Sequence, residues 1–191
     1  MLYLMRHGET RQNRSYQLLG RADVAMNDTG YAQAEAAGQW FAKQGIVFSH
    51  IFSSPLSRAK ETAQRCAPGM PVITDERLTE MDCGPWEGAD YRSPAPELAE
   101  YFRDLVHNPA PAGMEPLREV VQRTGDFLEE LKQLSGNVLI VTHAIAMKGC
   151  LEYLTPEADG RYWSTNIGNC AVYAAELKNG TIGVPYEVIM K

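Results

Sequence analysis

A guanidinium and an imidazole, the two side chains best suited to handle an anion, stand next to each other at Arg6-His7, followed by Gly8-Glu9-Thr10. They come directly after the apolar run Met1-Leu2-Tyr3-Leu4-Met5. A short apolar run bounded by glycine reads as a buried strand. Open α/β sheets bind ligands at the carboxyl ends of their strands, so this strand would carry a cation and a ring nitrogen to the mouth of the sheet. Chemically that is an anion site with a nucleophile in it. The same residues also fit an ordinary strand end with a solvated arginine and histidine, and on the tripeptide alone that reading is favoured, because three residues recur by chance. A second histidine, His143, closes the run Val138-Leu139-Ile140-Val141-Thr142. Arg58 falls near a helix start, where free N–H groups favour anions; read alone, it pairs on the surface with Glu61 at i+3.

Short apolar runs alternate with helical patterns along the chain, which argues a mainly parallel sheet. Residues 2–6 are the first strand. Asp28 or Thr29 can cap a helix to about Gln44, with Ala32, Ala36, Trp40 and Phe41 as its apolar stripe and Gly45 ending it. Ile46 to Phe52 is the second strand, and Pro55 and Ser57 open a helix that stops before Pro68. Val72 and Ile73 make a brief third strand. The stretch 84–116 breaks the rhythm with six prolines around one helix, Ala99 to Val106; a loop this long in a compact domain is more often a functional lid than a plain connection. Leu117, Val120, Val121, Phe127, Leu128, Leu131 and Leu134 recur at helical spacing before Gly136. Val138 to Val141 reads as a central strand buried on both faces, and a helix follows through Leu154. Asn179-Gly180, between Cys170–Leu177 and Thr181–Ile189, signals a hairpin at an antiparallel edge.

The expected fold is α/β, a mainly parallel sheet flanked by helices on both faces with an antiparallel C-terminal edge hairpin. It forms one domain over 1–191, with a Pro-rich lid insertion at about 84–116. A net charge of −6 with no basic run argues against nucleic acid and anionic membrane surfaces as partners. Cys66, Cys83, Cys150 and Cys170 form no Cys-x-x-Cys pair and read as reduced, mostly buried thiols. The N-terminal apolar run is too short for a signal sequence and no stretch approaches a membrane span, so the expected location is the cytoplasm.

The pattern Arg6 to Asn13, Arg-His-Gly-Glu-Thr-x-x-Asn, resembles the histidine phosphatase superfamily, also called phosphoglycerate mutase-like. Further blocks resemble the family in its own order. They are Gly20-Arg21-Ala22-Asp23, then Asn27-Asp28-Thr29-Gly30, and Ser53-Ser54-Pro55-Leu56-Ser57-Arg58-Ala59 with Glu61-Thr62-Ala63. Leu78-Thr79-Glu80-Met81-Asp82-Cys83-Gly84-Pro85-Trp86-Glu87-Gly88 and the strand ending in His143 follow.

This resemblance implies a phosphomonoester hydrolase with a small phosphorylated substrate and neither metal nor organic cofactor. His7 is then the nucleophile that becomes phosphohistidine. For that, its other nitrogen must carry the proton and face an acceptor, most simply a backbone carbonyl of the Gly8 turn. Arg6 and Arg58 hold the phosphoryl group, since guanidinium forks match phosphate and stay charged. Each such pair at ~4 Å is worth about 4 kcal/mol before desolvation at an effective dielectric near 20. His143 donates to the phosphoryl oxygens or stabilises their charge. Glu80 is the general acid and base, with Asp82 two residues on as the competing carboxylate. Asn13 donates to the phosphate, and Gly20 and Arg21 line the same pocket. Glu9 and Thr10 brace the loop, Trp86 and Glu87 pack before the lid, and His50 and His107 match no motif.

Ala144 follows His143 where many relatives have Gly, and Gly113-Met114-Glu115-Pro116 stands where Gly-Gly-Glu-Ser is common, which is expected to alter the pocket rim. The short chain is similar to the compact phosphatase branch, including α-ribazole phosphatase-like and broad-specificity phosphomonoesterase members. A phosphoglycerate-type mutase with the same intermediate is the first alternative, although the lid supplies only Arg92 and Arg103 for a second anionic group. A non-catalytic phospholigand-binding or interaction module is the alternative of another class. A metal-dependent hydrolase is weaker, because no ligand spacing such as His-x-His appears. No feature speaks for a particular oligomeric state.

Overall fold

The computed structural model describes residues 1–190. In chain order the helices are α1 (Arg11–Arg14), α2 (Asp28–Lys43), α3 (Ser57–Cys66), α4 (Pro96–Arg103), α5 (Leu117–Leu131), α6 (Ala144–Leu154) and α7 (Arg161–Ser164). The strands are β1 (Leu2–Arg6), β2 (Phe48–Ser53), β3 (Ile73–Thr74), β4 (Asn137–Thr142), β5 (Val172–Ala175), β6 (Leu177–Lys178), β7 (Thr181–Ile182) and β8 (Tyr186–Val188). Six of them form one sheet in the order β3-β2-β4-β1-β5-β8. The first four are parallel; β5 and β8 complete the sheet antiparallel.

Strand alternation decides the layers. Tyr3 and Met5 of β1 and Leu139 and Val141 of β4 face a core shared with α2 and α3 through Ala34, Phe41, Ala59 and Ala63. Leu2, Leu4, Val138 and Ile140 face the opposite core, built with α5 and α6 through Phe127, Leu128, Met147 and Leu151. β1 and β4 are thus buried on both faces, and their carboxyl ends lie side by side, with Arg6 paired in register to Thr142. A third, smaller core gathers Leu98 and Tyr101 of α4 with Met81, Cys83, Met114 and Val120, tying the segment 84–116 down beside the strand ends.

Several local expectations shift. Asn27, not Asp28 or Thr29, caps α2 by accepting from Gly30 N at 2.9 Å. The buried stripe of α2 is Ala34, Ala37 and Phe41, while Ala32 and Ala36 are exposed; with alanines at nearly every turn, the pattern did not single out one face. β2 begins at Phe48, two residues after Ile46, because Gly45 at φ +67° continues the turn. The third strand is displaced to Ile73–Thr74, and α4 spans Pro96–Arg103 in place of 99–106, since Pro96 sits readily in a first helical turn. Asn179 and Gly180 do make a tight turn, with φ of 53° and 73°, but it joins β6 to β7 in a separate two-stranded sheet. The antiparallel edge of the main sheet is β5 with β8. All four cysteines are free and buried. Among the described residues no helix is long and apolar enough to cross a membrane.

Candidate active site

β1 ends by delivering Arg6 and His7 to the rim of the sheet, and β4 ends by delivering His143. The two imidazoles stand with ring centroids 5.0 Å apart. The turn after His7 can be this tight because Gly8 presses against the start of α2: a Cβ at Gly8 would lie 2.4 Å from Gly30 O and 2.6 Å from Met26 Sδ. Gly8 N donates to Thr62 Oγ1 on α3 at 3.0 Å, and Gly8 O lies 2.7 Å from His7 Nδ1. A carbonyl only accepts, so Nδ1 carries the proton and Nε2 keeps its lone pair. The acceptor anticipated from the sequence is therefore in place. Burial, with the Arg6 and Arg58 charges, holds His7 well below the usual imidazole range and keeps it neutral.

Arg58, fully buried in the first turn of α3, makes no pair with Glu61. Its guanidinium donates to Ala22 O at 2.8 Å and Gly20 O at 2.7 Å, and its Nε to His143 Nδ1 at 3.2 Å. His143 Nδ1 is then the bare nitrogen, and Nε2, 2.8 Å from Ser54 Oγ, carries the proton. Burial foremost, then Arg58, drives His143 well below the usual range as well. In the free protein it is a neutral N–H donor rather than a cation. Arg6 donates to Ile167 O at 2.6 Å, while its buried Nε has no partner among the described residues.

Glu80 reaches the start of α6. Its Oε1 accepts from Met81 N, Ala146 N and Ile145 N at 2.9–3.1 Å, while Oε2 has only the shared Ile145 N–H. Oε2 is the freer oxygen for proton exchange. Asp82 turns elsewhere: Oδ1 accepts from Gly84 N at 2.8 Å, and the residue does not line the cavity described below. Asn13 closes a capping box with Thr10, and its Oδ1 also accepts from Asn169 Nδ2. This leaves the Asn13 amide N–H groups as donors.

Arg6, His7, Asn13 and Glu80 line a cavity of about 450 Å³; His143, whose ring centroid lies 5.0 Å from that of His7, and Arg58, bonded to His143, do not line it. Gly20 and Arg21 are not brought there. The Gly20 N–H is taken by Glu87 and its carbonyl by Arg58, so it braces Arg58; Arg21 reaches toward Glu115 and Asp82 instead. Glu9 accepts from Arg14 and Asn27 and so braces the loop. Met114, expected at the rim, is buried in the small core with Leu98 and Tyr101 of α4. Among the described residues no group of three or more potential metal ligands occurs.

Four residues of the site have no role in the sequence reading, although Ser54 and Thr62 lie in the blocks that resemble the family. Ser54 holds His143, Thr62 holds Gly8, Asn169 holds the His7 carbonyl and Asn13, and Lys148 lines the cavity while donating to Trp163 O at 2.9 Å. Lys148 had a readable signal, the one basic residue in the largely apolar helix Ala144–Leu154, whose other charged residue is Glu152. Asn169 had none.

Arg6 and two neutral histidines at adjoining ends of parallel strands, with Arg58 in the first turn of α3 and the Glu80 carboxylate bonded to the start of α6, define a histidine-based α/β site for an anion. The model of the histidine phosphatase superfamily (branch 1) matches residues 2–185, and the chain belongs to that family. It is 32% identical over 157 residues to "Probable phosphoglycerate mutase GpmB" of Yersinia pestis, covering 78% of this chain and 72% of that one. Among solved structures it is similar to a candidate alpha-ribazole-5'-P phosphatase of Escherichia coli (TM-score 0.83, 24% identity, 99% of this chain and 94% of that one). It is also similar to a phosphoserine phosphatase of Entamoeba histolytica in complex with phosphoserine (TM-score 0.82, 24% identity, 98% and 94%). At that identity the two structures speak for the fold.

Proposed function

We propose that the protein hydrolyses phosphomonoesters through a phosphohistidine on His7, without metal or organic cofactor. The observation that carries this is the His7 ring itself: neutral, with Nδ1 locked on Gly8 O and Nε2 bare, beside the Arg6 and Arg58 charges. In the first step the Nε2 lone pair attacks phosphorus while the bond from phosphorus to the leaving oxygen breaks, its electrons going to that oxygen. Glu80 gives the leaving oxygen a proton. In the second step Glu80 takes a proton from water, the water oxygen attacks phosphorus, and the nitrogen–phosphorus bond breaks to release phosphate and neutral His7. Arg6, Arg58, the His143 N–H and the Asn13 amide neutralise charge as it spreads over the phosphoryl oxygens. For His143 this requires its N–H to leave Ser54 for a phosphoryl oxygen.

The second reading, a phosphomutase, is favoured by the relative named as a phosphoglycerate mutase. It requires a second alcohol to resolve the intermediate and cations to hold a second anionic group. Arg92 is bonded to Asp90 and Arg103 to Glu100, and neither lines the cavity; Lys148 is the further cation that does. The test is phosphate release from a panel of phosphomonoesters in chelator, wild type against His7→Ala. Release by wild type alone supports the hydrolase, whereas phosphoryl transfer from a phosphoglycerate to its isomer without release supports the mutase.

A further inference from the structure

Glu80 is fixed twice, once by its side chain and once through the backbone on either side of it. Its Oε1 sits on the amides that open α6. The flanking backbone is held by two residues that do not line the cavity: Glu115, just before the Pro116 cap of α5, and Arg123 within α5. Arg123 Nη1 donates to the carbonyls of Arg77 and Thr79, each at 2.7 Å. Its Nε and Nη2 donate to Glu115 Oε1 and Oε2 at 2.7 and 3.1 Å. Glu115 Oε2 accepts in turn from Asp82 N at 3.0 Å, and Glu115 N donates to Asp82 O at 2.8 Å. Thr79 and Asp82 are thereby tied to one guanidinium–carboxylate pair, with Glu80 between them. Thr142 Oγ1, at the end of β4, holds Leu78 O at 2.7 Å, so the same segment is registered to the strand that delivers His143.

The pair is largely buried, with side chains 16% and 9% exposed. A buried ion pair returns little net stability, because desolvating both charges offsets their attraction. What this one adds is register, since a guanidinium fork fixes the direction of its bonds. We infer that Arg123 and Glu115 are positioning residues for the acid step, holding the backbone on both sides of Glu80 so that its Oε2 meets the leaving oxygen. This rests on the hydrolase reading above and deepens it. Neither residue lines the cavity, so each acts through Glu80. A misplacement of about 1 Å can cost roughly 10²-fold in rate. Lysine at position 123 keeps the charge, but one ammonium cannot serve two carbonyls and both carboxylate oxygens. Glutamine at position 115 keeps the shape and can still accept from Asp82 N, but it loses the charge that holds Arg123.

Two esters separate positioning from mere support of the fold. 4-Nitrophenolate departs without a proton, whereas 2-phenylethanol must be protonated as it leaves. Because kcat/KM reports only the steps through ester cleavage, its ratio for 4-nitrophenyl over 2-phenylethyl phosphate reads the acid step. Glu80→Gln should raise this ratio about 10²-fold. Arg123→Lys and Glu115→Gln, two variants so that loss of fold in one leaves the other, should each raise it about tenfold, a share of the same effect. In the Glu80→Gln background neither should raise it further, since the group they aim is gone. Thermal unfolding identifies the folded variants. Equal losses on the two esters, or no loss on either, overturn the inference, and so does an undiminished rise in the Glu80→Gln background. If Glu80→Gln moves the ratio and the folded pair variants do not, the inference falls alone. If Glu80→Gln leaves the ratio unchanged, or wild type turns over neither ester, the acid role or the hydrolase reading is withdrawn and the inference with it.

Discussion

Replacing Thr62 with valine tests whether the His7 turn is held as the structure describes. The Thr62 hydroxyl is fully buried, accepts from Gly8 N at 3.0 Å and donates to Arg58 O at 2.7 Å. Valine keeps the shape but leaves the Gly8 N–H buried without an acceptor, which costs about 1–3 kcal/mol. Arg58 O keeps its place in the α3 ladder, so losing the hydroxyl there adds little. The added methyl returns at most about 0.8 kcal/mol through burial. The expected net loss is about 1–2 kcal/mol, read as a lower urea midpoint with unchanged slope. Because Gly8 O is also what fixes the His7 tautomer, kcat should fall together with stability. Thr62→Ser, which keeps the hydroxyl, should recover most of both. A Thr62→Val variant within about 0.5 kcal/mol of wild type, the range of neutral surface changes, would show that this bond does not hold the turn.

Gly8→Ala should cost about 1–3 kcal/mol or more, because its Cβ meets Gly30 O at 2.4 Å, backbone that cannot step aside; thermal unfolding checks it. Glu80→Gln should lower kcat roughly 10²–10⁴-fold, while Asp82→Asn leaves kcat near wild type; a reversed order in steady-state kinetics would move the acid/base role to Asp82. His7 and His143 titrate well below the ordinary 6.5 when folded, so below that pH the unfolded chain binds more protons and stability falls as pH drops. Each histidine contributes a slope of up to about 1.4 kcal/mol per pH unit. Urea midpoints between about pH 6.5 and 5.5 should therefore fall less steeply in His7→Ala than in wild type, and equal slopes would contradict the buried neutral state.

The sheet was legible because β1 from Leu2 to Met5 and β4 from Val138 to Val141 are unbroken apolar runs, the pattern of strands buried on both faces. The stripe of α2 was not, because Ala32, Ala34, Ala36 and Ala37 are nearly alike in hydrophobicity and only packing against the sheet separates them. At the site, local pattern put Arg6, His7 and His143 at the ends of apolar strands, but it took the resemblance to the family to favour an anion site there over ordinary strand ends. The supporting contacts could not be read the same way. Gly20 has two free backbone groups in any sequence reading, and only the folded chain shows both spent on Glu87 and Arg58. Asn169 meets Asn13 across 156 residues, a pairing that carries no local signature.

The central claim is a covalent phosphoryl group on His7, and trapping it is the most direct test. Wild type mixed with a radiolabelled phosphomonoester in chelator and quenched in base within one turnover should retain label on the protein. The label should be stable to base, lost in acid, and located by mass spectrometry on the peptide that contains His7. His7→Ala should retain none. Turnover with no trapped label in wild type, or label that persists in His7→Ala, would contradict the account.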